Sequence, residues 1–230
     1  LVRHFADEKI GYVVGCARYE NIAVSSAGNS EGFYWNLEVK IKEWESAFSS
    51  VVGGDGAIYA IRTGLYEPMQ ETDINDFVNP LQIVAKGYRG VFDSAAWCSE
   101  KPAGQFEKEF SRKVRIANRS FNGFLRVPDA CNPLKNLRFA WQLISHKLLR
   151  WFSPCILLLH FLAALIAADT HRLVDLLALF SAVLYGLIAT LALIGWVQDR
   201  RGCSKAVYYM PYYFVLMNVA STIGIFKRLK

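Results

Sequence analysis

The sequence predicts a mixed α/β domain, followed by amphipathic helices and then by a bundle of two or three transmembrane helices. Short apolar runs typical of strands alternate with helical periods near the start of the chain. A strongly cationic stretch follows, and long apolar runs dominate the last third. We therefore divide the chain into an α/β part (1–108), an interface part (109–150) and a transmembrane part (151–226).

Three strands and two helices are predicted in the α/β part. The apolar runs at 10–15, 56–61 and 90–97 are of strand type. The segment 31–48 has helical spacing. Its expected buried face comprises five apolar residues: Phe33, Leu37, Ile41, Trp44 and Phe48. The segment 73–86 is the second predicted helix, with acidic residues at its N-terminus, where the helix dipole favours negative charge.

Charge is distributed unevenly along the chain. Residues 1–100 carry 8 basic and 14 acidic side chains, a net charge of −6, whereas residues 101–150 carry 11 basic and 3 acidic side chains, a net charge of +8. A cationic belt directly before an apolar segment attracts anionic lipid headgroups and also suits a diphosphate-bearing ligand. Because the belt leads into a predicted membrane span, we expect lipids rather than nucleic acid as partners.

The interface part is predicted to end in a helix that lies on the membrane surface. Apolar residues alternate with basic ones at helical spacing over 133–151, which is typical of an interfacial amphipathic helix. Trp151, at its end, is expected to anchor the interface, because tryptophan favours the headgroup level of a bilayer.

Two apolar runs, 151–167 and 173–197, are at or near the roughly 20 residues that a membrane-crossing helix needs. Basic residues flank the open end of this predicted hairpin and place it in the cytoplasm: Lys147, Arg150, Arg200, Arg201 and Lys205. Asp169, Thr170 and His171, in the link between the runs, would then lie outside. The chain is thus expected to be a multi-pass protein of the cytoplasmic (inner) membrane.

A third apolar run covers 206–226, beginning with an aromatic cluster and ending before a basic tail. We favour a crossing helix, although crossing places the basic tail outside, against the positive-inside rule. A tilted or re-entrant segment broken near Pro211 is the alternative.

The five cysteines argue against a disulfide framework and against a zinc site. They are odd in number and include no CxxC pair: Cys16, Cys98, Cys131, Cys155 and Cys203. We predict no metal ligand among the residues of this chain, and a reducing, cytoplasmic setting for the α/β part.

Three motifs suggest a chemistry. VVGGDGAIYAIR (51–62), ETDINDFVNPLQIVAKGYRG (71–90) and EFSRKVRI (109–116) follow one another in this order. In sequence and order they resemble the processive family 2 glycosyltransferases, which include cellulose, chitin, hyaluronan and poly-N-acetylglucosamine synthases, and the resemblance spans nearly the whole chain. It implies the distal half of a GT-A-type nucleotide-sugar transferase domain, which performs inverting sugar transfer to a growing polysaccharide and possible export of the product.

The resemblance implies a catalytic base. Ile74, Asn75 and Asp76 stand where the family has Thr-Glu-Asp, and only the final Asp is kept. Asp76 is therefore the expected general base, which takes the proton of the acceptor hydroxyl as that oxygen attacks the anomeric carbon. By sequence alone, the favoured explanation of Asp73 and Asp76 is that they cap and polarise a helix, and it is the resemblance that favours the catalytic role of Asp76.

The glycine-rich motif corresponds to the family's loop near the acceptor sugar. Gly53 and Gly54 allow the backbone to approach a ligand closely, and Asp55 stands where some relatives have Ser. The resemblance thus implies acceptor contacts by Gly53, Gly54, Asp55 and Asn75.

Arg112, Arg115 and Ile116 stand at the defined positions of the family's Gln/Arg-x-x-Arg-Trp motif. The resemblance implies that Arg112 and Arg115 bind the donor diphosphate, whose growing negative charge guanidinium groups stabilise. A headgroup contact is the alternative role for these residues. Ile116 replaces the Trp that normally faces the sugar, so the stacking contact at this position is lost.

The family binds its donor through Mg²⁺ or Mn²⁺ held by carboxylates that we expect upstream of Leu1. We therefore expect this chain to be a C-terminal fragment that is inactive alone. Two alternatives stay open. One is a non-processive family 2 enzyme acting on a lipid-linked acceptor, and the other is a non-enzymatic membrane subunit, regulatory or pore-forming.

Overall fold

A three-stranded mixed sheet forms the centre of the α/β part. The computed structural model describes residues 1–19, 26–100, 106–167, 172–201 and 206–227. The strands are β1 (Ile10–Tyr19), β2 (Tyr59–Ile61) and β3 (Arg89–Glu100), in the order β2-β1-β3. The central strand β1 pairs antiparallel with β2 and parallel with β3. All three predicted strands are confirmed, with β2 shorter and both β1 and β3 longer than predicted.

Seven α-helices are present in the described part of the chain. They are α1 (Ser26–Phe48), α2 (Asn75–Ala85), α3 (Phe106–Arg126), α4 (Pro133–Leu143), α5 (Leu149–Ala167), α6 (Arg172–Arg200) and α7 (Ala206–Phe226). A π-helical turn, Ile144–Leu148, joins α4 to α5 without a break, and short 3₁₀ turns cover Val2–Ala6, Thr63–Leu65 and Pro128–Cys131. The mixed α/β class is confirmed.

The core lies between the sheet, α2 and α4. Tyr12, Leu81, Phe139 and Leu143 are fully buried there. The Tyr12 ring crosses β3 at Gly90, where a Cβ atom would lie 1.8 Å from the ring carbon Cζ. Only glycine fits at this point, so the packing of the ring across the neighbouring strand depends on it.

The buried face of α1 differs from the predicted one. Leu37, Trp44 and Phe48 are 44%, 65% and 52% exposed, whereas Glu38 and Glu45 are 8% and 6% exposed. The side chain of Phe33 lies outside the described residues, and Ile41 is only half-buried. The prediction of an apolar buried face was therefore wrong. A polar face can be buried here because partners in the π-helical turn and on α5 satisfy its carboxylates.

Trp151 does not anchor a membrane interface, since it is buried against the aromatic rings of α2 and α3. It makes edge-to-face contacts with Phe77 and Phe121 at centroid distances of 5.8 and 6.1 Å. This geometry is the favoured one for aromatic pairs. Trp151 therefore fixes the start of α5 to the α/β part.

Helix α4 has two apolar faces. Phe139 and Leu143 face the core, while Leu134, Leu137 and Trp141 are 94%, 69% and 66% exposed. Leu137 and Trp141 are about one helical turn apart on the other side, whereas Leu134 precedes Asn136, whose backbone is not helical. The helical prediction for 133–151 is confirmed, and the exposed face has the character of the predicted surface helix.

Two helical runs are long and apolar enough to cross a membrane, Pro133–Ala164 and Leu176–Arg200. Because the first run is packed on the core through Leu143, its exposed apolar part is α5, beginning at Leu149. The predicted positions of Asp169, Thr170, His171 and Lys205 fall outside the described residues.

Helix α7 is continuous through Pro211, so the structure has no break there. Its last turns lie against α3: the Asn118 side-chain amide donates to the Gly224 carbonyl oxygen at 2.9 Å. A Cβ atom at Gly224 would lie 2.6 Å from the Val114 carbonyl oxygen. This glycine therefore allows close contact between α7 and a polar helix, and a third membrane crossing stays a prediction.

Candidate functional site

A cleft of about 110 Å³ lies where α2, α3, the glycine-rich turn and the start of α5 meet. The glycine-rich turn contributes Gly53 and Gly54, and the first turn of α2 contributes Asp76. The π-helical turn and the start of α5 contribute two cations and an aromatic ring to the lining: Lys147, Arg150 and Trp151. Four residues from distant motifs, Gly53, Gly54, Asp76 and Ile116, thus share one cavity.

The glycine-rich turn is fastened to the backbone of Asp76. The Gly54 N–H donates to the Asp76 carbonyl oxygen, and Gly53 has a φ of 88°, which favours glycine. A Cβ atom at Gly56 would lie 3.0 Å from the Asp76 Oδ2 atom. The glycines therefore keep the space around the Asp76 carboxylate open.

Burial raises the pKa of Asp76, since a partly enclosed carboxylate is harder to ionise. The cation of Lys147 lowers it, and the negative charge of Asp55 raises it further. The balance is an Asp whose pKa lies above its ordinary value. A base with a raised pKa accepts a proton more readily, as general-base catalysis requires.

Lys147 is the cation that most affects Asp76, and it comes from the π-helical turn before α5. Removal of the ammonium group from water lowers the pKa of Lys147, and the negative charge of Glu38 opposes this effect. A π turn inserts one extra residue into a helix and changes which side chains share a face. Here Lys147, Arg150 and Trp151 all reach the same cleft.

Two predicted acceptor residues lie beside the cleft rather than in its wall. Asp55 is buried and its carboxylate pairs with the Lys42 ammonium at 2.9 Å. Asn75 is exposed, and its side-chain oxygen accepts the Asp76 N–H at 2.8 Å. These contacts give Asp55 a role in holding α1 against the glycine-rich turn and give Asn75 a role in ordering the first turn of α2.

The predicted donor-binding residues are not among those lining the cleft. Arg115 is exposed on α3, and Arg112 is half-buried one turn earlier. Ile116 lines the cleft instead, as does Ser120 one turn later on the same face. Ile116 brings no aromatic surface, but the neighbouring Trp151 does, from a different helix.

A buried ion network behind the cleft was not predicted. The His146 Nδ1 atom lies 2.6 Å from the Glu45 Oε1 atom, and its Nε2 atom lies 3.3 Å from the Glu38 Oε2 atom. Arg150 also pairs with Glu38. A lone histidine in a sequence is more often a packing residue than a catalytic one, so no chemistry is predicted for His146. Only the spacing of Glu38 and Glu45, two helical turns apart, could have indicated a shared partner.

This network supports the glycine-rich turn. The Glu45 Oε2 atom accepts the Val52 N–H at 2.9 Å, next to Gly53. Burial disfavours ionisation of Glu38, but the His146 hydrogen bond and the charges of Lys147 and Arg150 outweigh it and hold the pKa of Glu38 well below its usual range. The cations of the cleft are therefore tied to a carboxylate that stays ionised.

Asp73, three residues before Asp76, has a structural partner. Its carboxylate is almost fully buried and pairs with Arg126 at the end of α3. The same carboxylate accepts the Gln70 N–H at 2.7 Å. Of the two aspartates, Asp73 fixes the loop before α2, while Asp76 faces the cleft.

A second cavity, of about 350 Å³, adjoins the cleft and shares Ile116, Arg150 and Trp151 with it. It extends between α3, α5 and α7, where Met210, Phe214 and Met217 contribute apolar walls. The cleft that Asp76 lines thus shares part of its wall with a second, mainly apolar cavity.

Within the described ranges, no group of three or more His, Cys, Asp or Glu side chains could hold a metal ion. The residues of the site therefore do not fit the divalent cation that the resemblance implies, and no step is assigned to a metal on them. Comparison with known proteins adds no relative: the chain matches no protein-family model and no curated protein.

Proposed function

We propose that this chain carries the acceptor side of an inverting glycosyltransferase. It would transfer a sugar from a nucleotide-sugar donor to a polysaccharide or a lipid-linked acceptor at the cytoplasmic face of a membrane. The observation that carries the proposal is the cleft itself. Asp76 lines it together with two cations and an aromatic ring, while the glycines leave room for a ligand. The motifs that resemble the glycosyltransferases contribute to the same cavity.

In the proposed reaction, Asp76 accepts the proton of the acceptor hydroxyl as that oxygen attacks the anomeric carbon of the donor sugar. A new bond forms between the hydroxyl oxygen and the anomeric carbon. The bond from that carbon to the diphosphate breaks, and its electron pair leaves with the nucleoside diphosphate. Attack from the side opposite the leaving group inverts the configuration.

The cations fit a reaction in which negative charge grows on the leaving group. Lys147 and Arg150 line the cleft, and their positive charge would stabilise a diphosphate or an anionic acceptor nearby. Arg112 and Arg115 stay our candidates for the donor diphosphate, on the strength of the motif alone. The Mg²⁺ or Mn²⁺ of this chemistry would be held by carboxylates in a donor-binding half outside this chain.

The membrane setting is supported by two independent features. The exposed face of α5 and that of α6 are apolar over enough length to cross a bilayer. The exposed apolar side of α4, next to the cleft, suits a helix lying at the headgroup level. Together they would hold the cleft at the membrane surface, on the side where Lys147 and Arg150 lie.

The proposal is tested in the complete enzyme with Asp76→Asn. Sugar transfer should be abolished while binding of the nucleotide-sugar donor is kept, because the amide preserves shape but cannot take a proton. Retained turnover would exclude Asp76 as the base. The rival proposal, a non-enzymatic membrane subunit, predicts that substitutions of Asp76 and Lys147 change stability only.

A further inference from the structure

The cavity next to the cleft is built to hold hydrocarbon rather than sugar. Its volume of about 350 Å³ lies within the range of small-molecule sites. Leu37, Ile116, Met210, Phe214 and Met217 are prominent in its walls. A polysaccharide passing through such a space would bury hydroxyl groups with few partners, at about 1–3 kcal/mol for each unpaired group.

Two polar residues of the cavity wall, Ser153 and Asn218, contact each other and the helix backbone. The Ser153 hydroxyl lies 2.7 Å from the Asn218 side-chain oxygen and 2.8 Å from the Arg150 carbonyl oxygen, and it can donate its proton to either. The Asn218 amide donates to the Phe214 carbonyl oxygen at 2.8 Å. These contacts lie within the helical walls, so they do not form a row of hydrogen-bonding groups for sugar rings.

Charge in the cavity has one sign. Lys113 and Arg150 are cationic, and the lining residues in the described part of the chain include no Asp or Glu. The ion pair of Arg150 with Glu38 lies outside this lining, so an anionic ligand would share the guanidinium with that carboxylate. Arg150 belongs to both cavities and therefore lies between the apolar chamber and Asp76. If an anionic group were held at Arg150, a sugar attached to it would lie in the cleft that Asp76 lines. A hydrocarbon chain attached to the same group would extend into the apolar cavity, towards α7.

From these observations we infer that the acceptor is an amphiphile, with an apolar tail in the α3–α5–α7 cavity and an anionic, sugar-bearing head at Arg150, its hydroxyl facing Asp76. This inference rests on the proposed function and decides between its two acceptors in favour of the lipid-linked one. The shared chemistry is a phosphate on a hydrocarbon chain. Burial of the tail contributes about 0.8 kcal/mol for each methylene removed from water.

The binding half of the inference is tested with dodecyl phosphate bearing a diazirine at the chain end, cross-linked to the complete enzyme in nanodiscs. Mass spectrometry should locate the label on α7, near Met217. Unlabelled dodecyl phosphate should reduce labelling at least tenfold, dodecanol should compete more weakly, and inorganic phosphate or maltohexaose should not compete. Competition by maltohexaose, or labelling confined to other surfaces, would overturn the amphiphile site.

A matched pair of variants tests the cavity. Met217→Trp fills it, whereas Val219→Trp places the same side chain on the exposed side of α7, two residues away. Labelling should fall at least fivefold in Met217→Trp and stay at the wild-type level in Val219→Trp. Equal labelling in both variants would show that the probe lies elsewhere. Thermal unfolding of both variants checks that each is folded.

The acceptor role is tested with radiolabelled nucleotide-sugars and native membrane lipids. The product should be extracted into butanol and should fall at least tenfold in Met217→Trp but not in Val219→Trp. Donor turnover that yields only ethanol-insoluble polymer would show that the cavity holds a structural lipid, and would overturn the inference alone. Absence of donor turnover in the wild type, with cross-linking intact, would instead refute the proposed function.

Discussion

Two cation-rich segments flank the candidate site, and they contribute to it differently. On α3, Lys113 lines the apolar cavity and Arg126 pairs with Asp73, whereas Arg115 is exposed. The second segment comprises the π-helical turn and the first turn of α5, where Lys147 lines the cleft of Asp76 and Arg150 lines both cavities. The sequence motif pointed to the first segment, but the second supplies the charge next to Asp76.

The difference shows how helical phase selects among neighbouring cations. On α3, the residue next to Arg115 faces the cleft, because adjacent residues on a helix point about 100° apart. In the second segment, Lys147 and Arg150 are three residues apart and lie on one face. A motif can therefore identify the right helix and leave the residues that face the site undetermined.

The largest expected effect on the rate is that of Asp76→Asn. The two cationic segments can contribute to catalysis only if Asp76 acts as the base. We expect kcat to fall by about 10²–10⁴-fold. Because the pKa of Asp76 is raised in the folded state, its ionised form costs stability above the unfolded pKa. Asp76→Asn should therefore be at least as stable as the wild type at pH 7. Thermal unfolding and transfer rates measure the two effects; a strongly destabilised variant would contradict the assignment.

The next effect separates structural from catalytic cations on α3. Arg126→Met should lower the free energy of unfolding by about 3–5 kcal/mol, because it leaves the Asp73 carboxylate buried without its cation. The matched control is Arg115→Met on the exposed side of the same helix, for which we expect less than about 0.5 kcal/mol. Denaturant unfolding of the two proteins gives the comparison, and equal losses would contradict the pairing.

A smaller effect on the rate is expected for Lys147, and it compares the catalytic contribution of the second cationic segment with that of the first. Lys147→Met should lower kcat about 10–100-fold, as expected for loss of a charge-assisted contact of about 1.5–3 kcal/mol. Because Lys147 lowers the pKa of Asp76, its removal should also move the acid limb of the kcat/KM profile to higher pH.

The control for Lys147 is Arg115→Ala, which should lower the rate through the donor but leave the acid limb in place. If the acid limb of the kcat/KM profile moved in Arg115→Ala and not in Lys147→Met, Arg115 rather than Lys147 would be the cation that acts on Asp76.

The smallest expected effect concerns the ion network behind the cleft. Since the pKa of Glu38 is lowered on folding, its contribution to stability is fully present above the unfolded pKa and is lost as the pH falls below it. Glu38→Gln should therefore be less stable than the wild type at pH 7, and the difference should shrink below about pH 4. Unfolding temperatures measured across this range test it; a constant difference would contradict the role of the charge.

Patterns of spacing predicted the elements well but predicted buried faces poorly. The strands at 10–15, 56–61 and 90–97 and the helices at 31–48 and 73–86 all form, because their periods match the geometry of each element. The buried face of α1 was mispredicted. A helix with an apolar side and a charged side can bury either one, and the side that is buried is the one whose groups meet partners elsewhere in the fold. Here Glu45 is buried because His146, about a hundred residues later, meets it.

By itself, the sequence determined the mixed α/β class, the two long apolar helices and the helix that begins beside Asp76. The tertiary structure alone decided that Lys147, Arg150 and Trp151 complete the cleft, and that His146 joins two buried carboxylates. The reason is physical: periodicity and motifs are local, whereas burial, charge pairing and pKa depend on groups brought together from distant parts of the chain.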